Sequence, residues 1–193
     1  MGRTSFTEPA CLPSPLRAQL LDVARTVIRA GCLGERLTVR PEEYPEALRA
    51  QRACFVTLYV GGELRGCIGS LEAQRALVED VADNAYAAAF GDPRFPALRL
   101  PDVARLEVSL SILSDFEPLV FGTEAELLAQ LRVHVDGLVL EEGRHRGTFL
   151  PSVWEQLPQP REFLRQLKLK AGLAGDYWSS TLMVRRYTVE TVP

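Results

Sequence analysis

Residues 64–69, with the sequence Leu-Arg-Gly-Cys-Ile-Gly, combine side chains that could support chemistry in this chain. The segment follows a Gly61-Gly62 pair, and residues 53–60 and 63–70 on either side of that pair are rich in β-forming side chains. Two such runs around a Gly-Gly dipeptide predict a β-hairpin with a two-residue turn. The sequence therefore predicts a cation and a thiol on one short strand.

The register set by this turn places Arg65 opposite Leu58 and Cys67 opposite Val56. Strand alternation then puts Arg65 and Cys67 on the same face. A permanent cation near a thiol favours the nucleophilic thiolate, so Cys67 is a candidate nucleophile that Arg65 would stabilise. Apolar neighbours such as Val56 and Leu58 oppose that charge. The alternative interpretation is a cysteine that belongs to the hydrophobic core.

Gly66 and Gly69 flank the cysteine in this strand. Glycine in a strand leaves room for a ligand or for the close approach of another backbone. Both glycines are therefore candidate substrate-binding positions together with Arg65.

Glu107 is a second candidate catalytic residue. It lies on the polar side of the clearly alternating segment 106–114, which predicts a half-buried strand. If that side meets the Arg65 and Cys67 side in a cleft, Glu107 would pair with Arg65 or accept a proton. The alternative is a carboxylate that simply faces solvent.

The segment Asp92-Pro93-Arg94-Phe95-Pro96 contains two prolines that restrict its backbone. Asp92 would cap the preceding helix or pair with Arg94. The density of Asp92, Arg94 and Phe95 makes this loop a candidate binding edge. A rigid loop that ends a helix also needs no binding function.

Cysteines and histidines show no spacing typical of a metal site, so we expect no metal and no cofactor. Cys54 would lie diagonal to Cys67 at roughly 7–8 Å, which is too far for an easy disulfide. Without a secretory signal we expect reduced thiols and a cytoplasmic location. The residues considered are Cys11, Cys32, Cys54, Cys67, His134 and His145.

The 193 residues carry a net charge of −3. This balance argues against a nucleic-acid partner, which needs a concentrated basic face. No apolar run is long enough to span a bilayer. The length predicts one domain, and the sequence does not indicate an oligomeric state.

The remaining pattern predicts a loose leader over residues 1–13 and an α+β domain over 14–193, because hairpin strands alternate with helices. The expected helices begin at Ser14-Pro15, Pro45, Ala73, Thr123 and Pro160, and further strands are expected at 106–114, 133–142 with a turn at Asp136-Gly137, and 182–192.

Four ordered motifs resemble the AMMECR domain family. They are residues 64–69 after Phe-Val-Thr-Leu at 55–58, residues 88–95, residues 148–151, and Phe163-Leu164 leading to residues 170–173 and Trp178. The resemblance implies a two-lobed α+β domain with a largely antiparallel sheet. In bacteria and archaea it also implies the AmmeMemoRadiSam system, with a Memo-type protein and a radical S-adenosylmethionine (SAM) enzyme as partners.

The resemblance leaves two functional hypotheses. In the first, Cys67 is the nucleophile of an enzyme or covalent carrier, Arg65 stabilises it or binds an anionic substrate, and Glu107 handles a proton. In the second, the domain is a non-catalytic module whose Arg65 face docks a small anion or a partner protein. Many relatives carry a cysteine near residues 167–169, which read Leu-Lys-Leu here, so a two-cysteine mechanism at that position is not expected.

Overall fold

The computed structural model describes residues 11–193. Most of the predicted leader lies outside the described residues, but Leu12 at its end is buried and its N–H donates to Glu190. The helices and strands in chain order are α1 (Ser14–Cys32), α2 (Glu46–Arg49), β1 (Cys54–Val60), β2 (Glu63–Gly69), α3 (Leu77–Phe90), β3 (Leu106–Leu113), β4 (Glu117–Pro118), α4 (Glu124–Gln130), β5 (Gly137–Glu142), β6 (His145–Phe149), α5 (Pro160–Lys170), β7 (Met183–Tyr187) and β8 (Val189–Val192).

The chain divides into two compact units. The first unit comprises the described residues up to Leu113 together with Glu190–Pro193, and the second comprises Ser114–Val189. Each unit has a four-stranded sheet, in the orders β2-β1-β3-β8 and β4-β7-β5-β6. The pairs β1–β2, β1–β3, β4–β7, β5–β6 and β5–β7 are all antiparallel. The predicted α+β class with antiparallel pairing is confirmed, with two sheets in place of one.

The core of the first unit lies on one face of its sheet. Cys54, Val56 and Leu58 of β1 have no exposed surface, and they belong to the same apolar cluster as the buried faces of α1 and α3. Small side chains on α3, which include Ala85 and Ala88, allow the helix to approach the strands closely. Burying this continuous apolar surface is the main force that holds the helices on the sheet.

The β1–β2 hairpin turns at Gly61 and Gly62, whose φ values are +60° and +83°. Positive φ at both positions is what a tight hairpin turn requires, and glycine adopts it without strain. The predicted turn is therefore confirmed, as is the pairing of Val60 with Glu63.

Beyond the turn, the predicted register is wrong by one residue. Tyr59 pairs with Leu64 and Leu58 pairs with Gly66, so Arg65 is an extra residue without a partner on β1. This β-bulge shifts every later pair, and a one-residue shift exchanges the faces on which side chains are expected to meet.

The second unit has its own core between its sheet and α5. Trp154 and Phe163 stack with ring centroids 3.7 Å apart, and the indole N–H of Trp154 donates to the Asp136 carbonyl at 2.7 Å. Predicted helix starts at Thr123 and Pro160 are confirmed by α4 and α5.

Two of the strand predictions beyond residue 132 are wrong. The strand expected at 133–142 begins only at Gly137, because Asp136 is buried and accepts hydrogen bonds from Arg132 in place of a hairpin turn. The strand expected at 182–192 is interrupted at Thr188 and becomes β7 in one sheet and β8 in the other. His134, which was expected in a strand, has a φ of +64°.

Of the described helices, none combines the length and the apolar composition that crossing a membrane requires.

Candidate functional site

Cys67 is half-buried on β2 and faces away from the helical core. It pairs with Thr57, and the Thr57 hydroxyl donates to its sulfur at 3.3 Å. The expectation that Val56 and Leu58 lie on the same face as Cys67 is wrong, since those residues belong to the opposite face of β1. The bulge at Arg65 therefore moves the thiol from apolar surroundings to a polar neighbour.

Cys54 lies on the core face, so the two thiols are on opposite sides of the sheet. Burial raises the pKa of Cys54 well above its ordinary value, and the nearby Asp80 carboxylate adds to that shift. Cys54 is consequently a protonated core thiol, and it cannot form a disulfide with Cys67 without rearrangement.

Glu107 lies on the same face of the sheet as Cys67, because Thr57 pairs with Ser109 and Tyr59 pairs with Glu107. The glutamate is exposed. It is two strands away from Cys67, which corresponds to about 10 Å across the sheet. The structure thus brings Glu107 to the predicted face without placing it in contact with the sulfur.

The loop after α3 covers the outer edge of β2 at Cys67. The Asp92 carboxylate accepts the Cys67 N–H at 2.9 Å, and the Arg94 guanidinium donates to the Cys67 carbonyl at 3.1 Å. Arg94 also binds both oxygens of Asp92 through Nε at 2.9 Å and Nη2 at 2.6 Å. The predicted pairing of Asp92 with Arg94 is observed, together with contacts to Cys67 that the sequence did not indicate.

These contacts perturb both charged groups. Hydrogen bonds from the Arg94 side chain, and then from the Cys67 N–H, hold the pKa of Asp92 well below its ordinary value. The pKa of Arg94 is raised, chiefly by its hydrogen bond to Asp92 and more weakly by Cys67. The Arg94 guanidinium thus contacts Asp92 and the main-chain carbonyl of Cys67 at once.

Arg65, the cation expected beside the thiol, has a different observed partner. Its Nη1 donates to the carbonyl of Pro96 at 2.9 Å, so Arg65 ties the bulge to the same loop. Phe95 is half-buried in this loop, with the Arg94 guanidinium carbon 5.3 Å from its ring centroid. The loop at 92–96 therefore gathers two arginines and an aromatic ring around the motif.

No free space lies beside Gly66 or Gly69 for a ligand or a side chain. A Cβ on Gly66 would lie 2.1 Å from the carbonyl oxygen of Ala88 in α3, and one on Gly69 would lie 2.3 Å from the Phe55 ring. At Gly66 the structure thus realises the expected close approach of another backbone. At both positions the room beside the glycine is occupied by the protein's own atoms.

Sequence reasoning missed Thr57 and a buried polar cluster around Asp80. The Asp80 side chain is 3% exposed and accepts hydrogen bonds from the Cys54 N–H, the Ser70 hydroxyl and Asn84. The signal was an acidic residue three positions after Leu77, on the buried face of the helix. This cluster joins α3 to the start of β1 and to Ser70, the residue after β2. Within residues 11–193, no group of three or more His, Cys, Asp or Glu side chains could hold a metal ion.

The second unit contains the other family-like motifs. Thr148 donates to the Leu138 carbonyl at 2.8 Å and contacts the Tyr187 hydroxyl at 3.1 Å. Burial raises the pKa of Tyr187 to about 12. Lys168 of α5 is 1% exposed and binds Glu124 at 2.5 Å. These contacts are those of a packed core.

Comparison with known proteins agrees with these motifs. The AMMECR1 family model matches residues 21–192. A protein of Methanothermobacter thermautotrophicus is 37% identical over 162 residues, covering 81% of this chain and 82% of that protein. A protein of Methanocaldococcus jannaschii is 38% identical over 162 residues, with 80% and 78% covered.

A solved structure supports the same relationship. The crystal structure of an uncharacterized protein from Pyrococcus horikoshii is similar with a TM-score of 0.82 and 30% sequence identity, covering 93% of this chain and 92% of that one. The family model spans the candidate site and both units. The chain described here therefore belongs to the AMMECR1 family.

Proposed function

We propose that Cys67 is a reactive thiol and the working nucleophile of this protein. One observation carries the proposal: the Thr57 hydroxyl donates to the Cys67 sulfur on the polar face of the sheet, and the Arg94 guanidinium donates to the main-chain carbonyl of the same residue. A neighbouring cation is the environment in which thiolates are generally stabilised. In the reaction, the sulfur supplies the electron pair of the new bond to carbon, the thiol proton passes to solvent, and the leaving group departs with its own bonding pair.

Arg94 is the cation that we assign to this chemistry. It contacts the main chain of Cys67, whereas Arg65 is engaged with Pro96. Arg65 is the better candidate for binding an anionic group of a substrate at the rim of the site. Glu107 is too far from the sulfur to take its proton directly, so a role for it requires a substrate or water between the two.

The test measures the alkylation of Cys67 by iodoacetamide as a function of pH, in a background with Cys11→Ser and Cys32→Ser. Cys54 remains because it is buried. We expect Arg94→Gln to slow the reaction about tenfold, the size that one hydrogen bond to a charged group can supply. Arg65→Gln should have a smaller effect. Arg36→Gln, which removes an exposed ion pair with Asp83 elsewhere in the unit, is the matched control.

A different result would identify Cys67 as an unreactive residue. If it reacts no faster than a cysteine in an unstructured peptide, and Arg94→Gln leaves that rate unchanged, the thiol is structural and the nucleophile proposal is wrong.

We further propose that the protein works in the cytoplasm with a Memo-type protein and a radical SAM enzyme, in a shared modification pathway. Family membership and the resemblance of the motifs support this proposal. A second candidate function is a non-catalytic adaptor, which is favoured by the convergence of the Arg65 and Arg94 guanidinium groups on one loop. Such a surface would dock an anionic group of a partner.

Co-expression with the two partners distinguishes the functions. If the protein is an adaptor, we expect Arg65→Ala to weaken recovery of a partner in a pull-down severalfold, whereas Cys67→Ala leaves recovery unchanged. A nucleophile predicts that Cys67→Ala abolishes covalent trapping of substrate with binding retained. Failure of both partners to associate with the wild-type protein would contradict the shared pathway.

A further inference from the structure

The main chain of Cys67 lies on the outer edge of the first sheet. Among the described residues, β2 is the terminal strand on that side, so its outward N–H and C=O have no strand to bind. At Cys67, the carboxylate of Asp92 accepts from the N–H and the guanidinium of Arg94 donates to the C=O. A pair of oppositely charged side chains therefore replaces a neighbouring strand at the candidate nucleophile.

Asp92 is the centre of this arrangement. Its side chain is 2% exposed, whereas that of Arg94 is 56% exposed. The carboxylate accepts from the Cys67 N–H, the Arg94 N–H, and two nitrogens of the Arg94 guanidinium. Because one rigid group binds both the cysteine main chain and the guanidinium fork, it fixes the cation relative to the cysteine.

The position of Asp92 is itself set by packed elements. It follows Gly91, which caps α3, and the last turns of α3 contact β2 through Ala88 and Gly66. The N–H of Phe95 returns to the Asp92 carbonyl at 3.2 Å. These contacts fix the main chain at Asp92, and so the position of its carboxylate, relative to α3 and β2.

We propose that Asp92 is a positioning residue that holds the Arg94 guanidinium beside Cys67. This inference rests on the proposed reactivity of Cys67 and deepens it. The proposal predicts a direction of change in the alkylation rate of Cys67 that is opposite to the one expected from charge alone. If Arg94 stayed in place without Asp92, loss of the negative charge would favour the thiolate and speed alkylation. If Asp92 positions Arg94, the same change releases the cation and slows alkylation.

The test uses the same alkylation assay with four variants, which are Asp92→Asn, Arg94→Gln, Arg94→Lys and the double variant Asp92→Asn/Arg94→Gln. We expect Asp92→Asn to slow the reaction about tenfold, as for loss of a charged hydrogen bond, and to raise the pH of half-maximal rate. Arg94→Lys should behave like Arg94→Gln, since an ammonium group cannot form the bidentate pair. The double variant should be no slower than Arg94→Gln alone.

Asp83→Asn is the matched control, because Asp83 lies in α3, the helix that precedes Asp92, and forms exposed ion pairs with Arg36 and Arg75. It should leave the rate unchanged. A faster Asp92→Asn variant, additive effects in the double variant, or a wild-type rate in Arg94→Lys would overturn the positioning role while leaving Cys67 reactive. A slow wild-type thiol that no variant alters would overturn both proposals. If circular dichroism shows that Asp92→Asn does not fold, Arg94→Lys decides the question, since its side chain is exposed.

Discussion

Replacement of Gly66 by alanine is expected to lower the free energy of unfolding of the first unit by roughly 2–3 kcal/mol, the upper part of the usual range for overpacking in a well-packed region. The added Cβ would lie 2.1 Å from the carbonyl oxygen of Ala88 and 2.9 Å from its carbonyl carbon. No side chain can move aside to relieve this contact, because the obstructing atoms are main-chain atoms of α3. Either the helix retreats from β2 or the strand bends away.

The expected loss is measured by urea unfolding with two probes. Far-UV circular dichroism follows both units, while tryptophan fluorescence follows the second, since the chain has two tryptophans and both Trp154 and Trp178 lie in that unit. We expect the circular dichroism transition to shift to lower urea. Ala88→Gly should not rescue Gly66→Ala, because the clash does not involve the Ala88 side chain.

Gly122→Ala is the matched control, since its added Cβ would meet only the end of the Glu126 side chain at 3.4 Å. An unchanged transition in Gly66→Ala would show that α3 can separate from β2 without loss, and the close contact would then not explain the glycine. The contact between Gly66 and Ala88 also positions the end of α3, from which the loop carrying Asp92 follows. A destabilised Gly66→Ala variant should therefore also alkylate more slowly at Cys67.

The sequence indicates the hairpin well but not its register. Gly61-Gly62 specifies the turn through backbone geometry that only glycine adopts easily. The bulge at Arg65 has no comparable signal, since β-forming residues fill β1 and can pair in either register. That single residue decides whether Cys67 meets Val56 or Thr57, so the environment of the thiol could not be predicted from periodicity alone.

Long-range contacts were also beyond the sequence pattern. The pairing of Asp92 with Arg94 is local and was predicted, whereas its attachment to Cys67 joins residues 25 positions apart. Similarly, most residues of the segment 182–192 favour strands, so its composition does not indicate the interruption at Thr188. There the Thr188 N–H donates to the Ser114 hydroxyl, and the Ser114 N–H donates to the Thr188 carbonyl. These bonds join residues 74 positions apart in the sequence, and they end one strand before the next begins in a different sheet.

In the second unit, Glu124→Gln is expected to cost about 1–3 kcal/mol of stability, because it leaves Lys168 buried without a counter-charge. The Lys168 side chain is 1% exposed and its ammonium group lies 2.5 Å from Glu124 and 5.7 Å from the centroid of the Trp178 ring. The expected loss is below that of a fully enclosed ion pair, since the Glu124 side chain is 36% exposed and partly solvated. Tryptophan fluorescence during urea unfolding measures the change.

Removing the buried charge should have the opposite result. We expect Lys168→Met to be as stable as the wild type or more so, because methionine fills a similar volume without desolvation of an ammonium group. The double variant Glu124→Gln/Lys168→Met should then recover the stability that Glu124→Gln loses. Glu162→Gln breaks an exposed pair with Arg165 on the same helix, and it should leave stability nearly unchanged because solvent screens the pair.

The comparison among these variants separates charge from packing. If Lys168→Met is as destabilising as Glu124→Gln, the contribution of the pair exceeds the desolvation of Lys168, and the ion pair itself stabilises α5 against α4. If Glu124→Gln is neutral, the ammonium group is sufficiently stabilised by the Trp178 ring and by solvent near Glu124. If the double variant recovers the stability that Glu124→Gln loses, an unpaired buried charge is the cause of that loss.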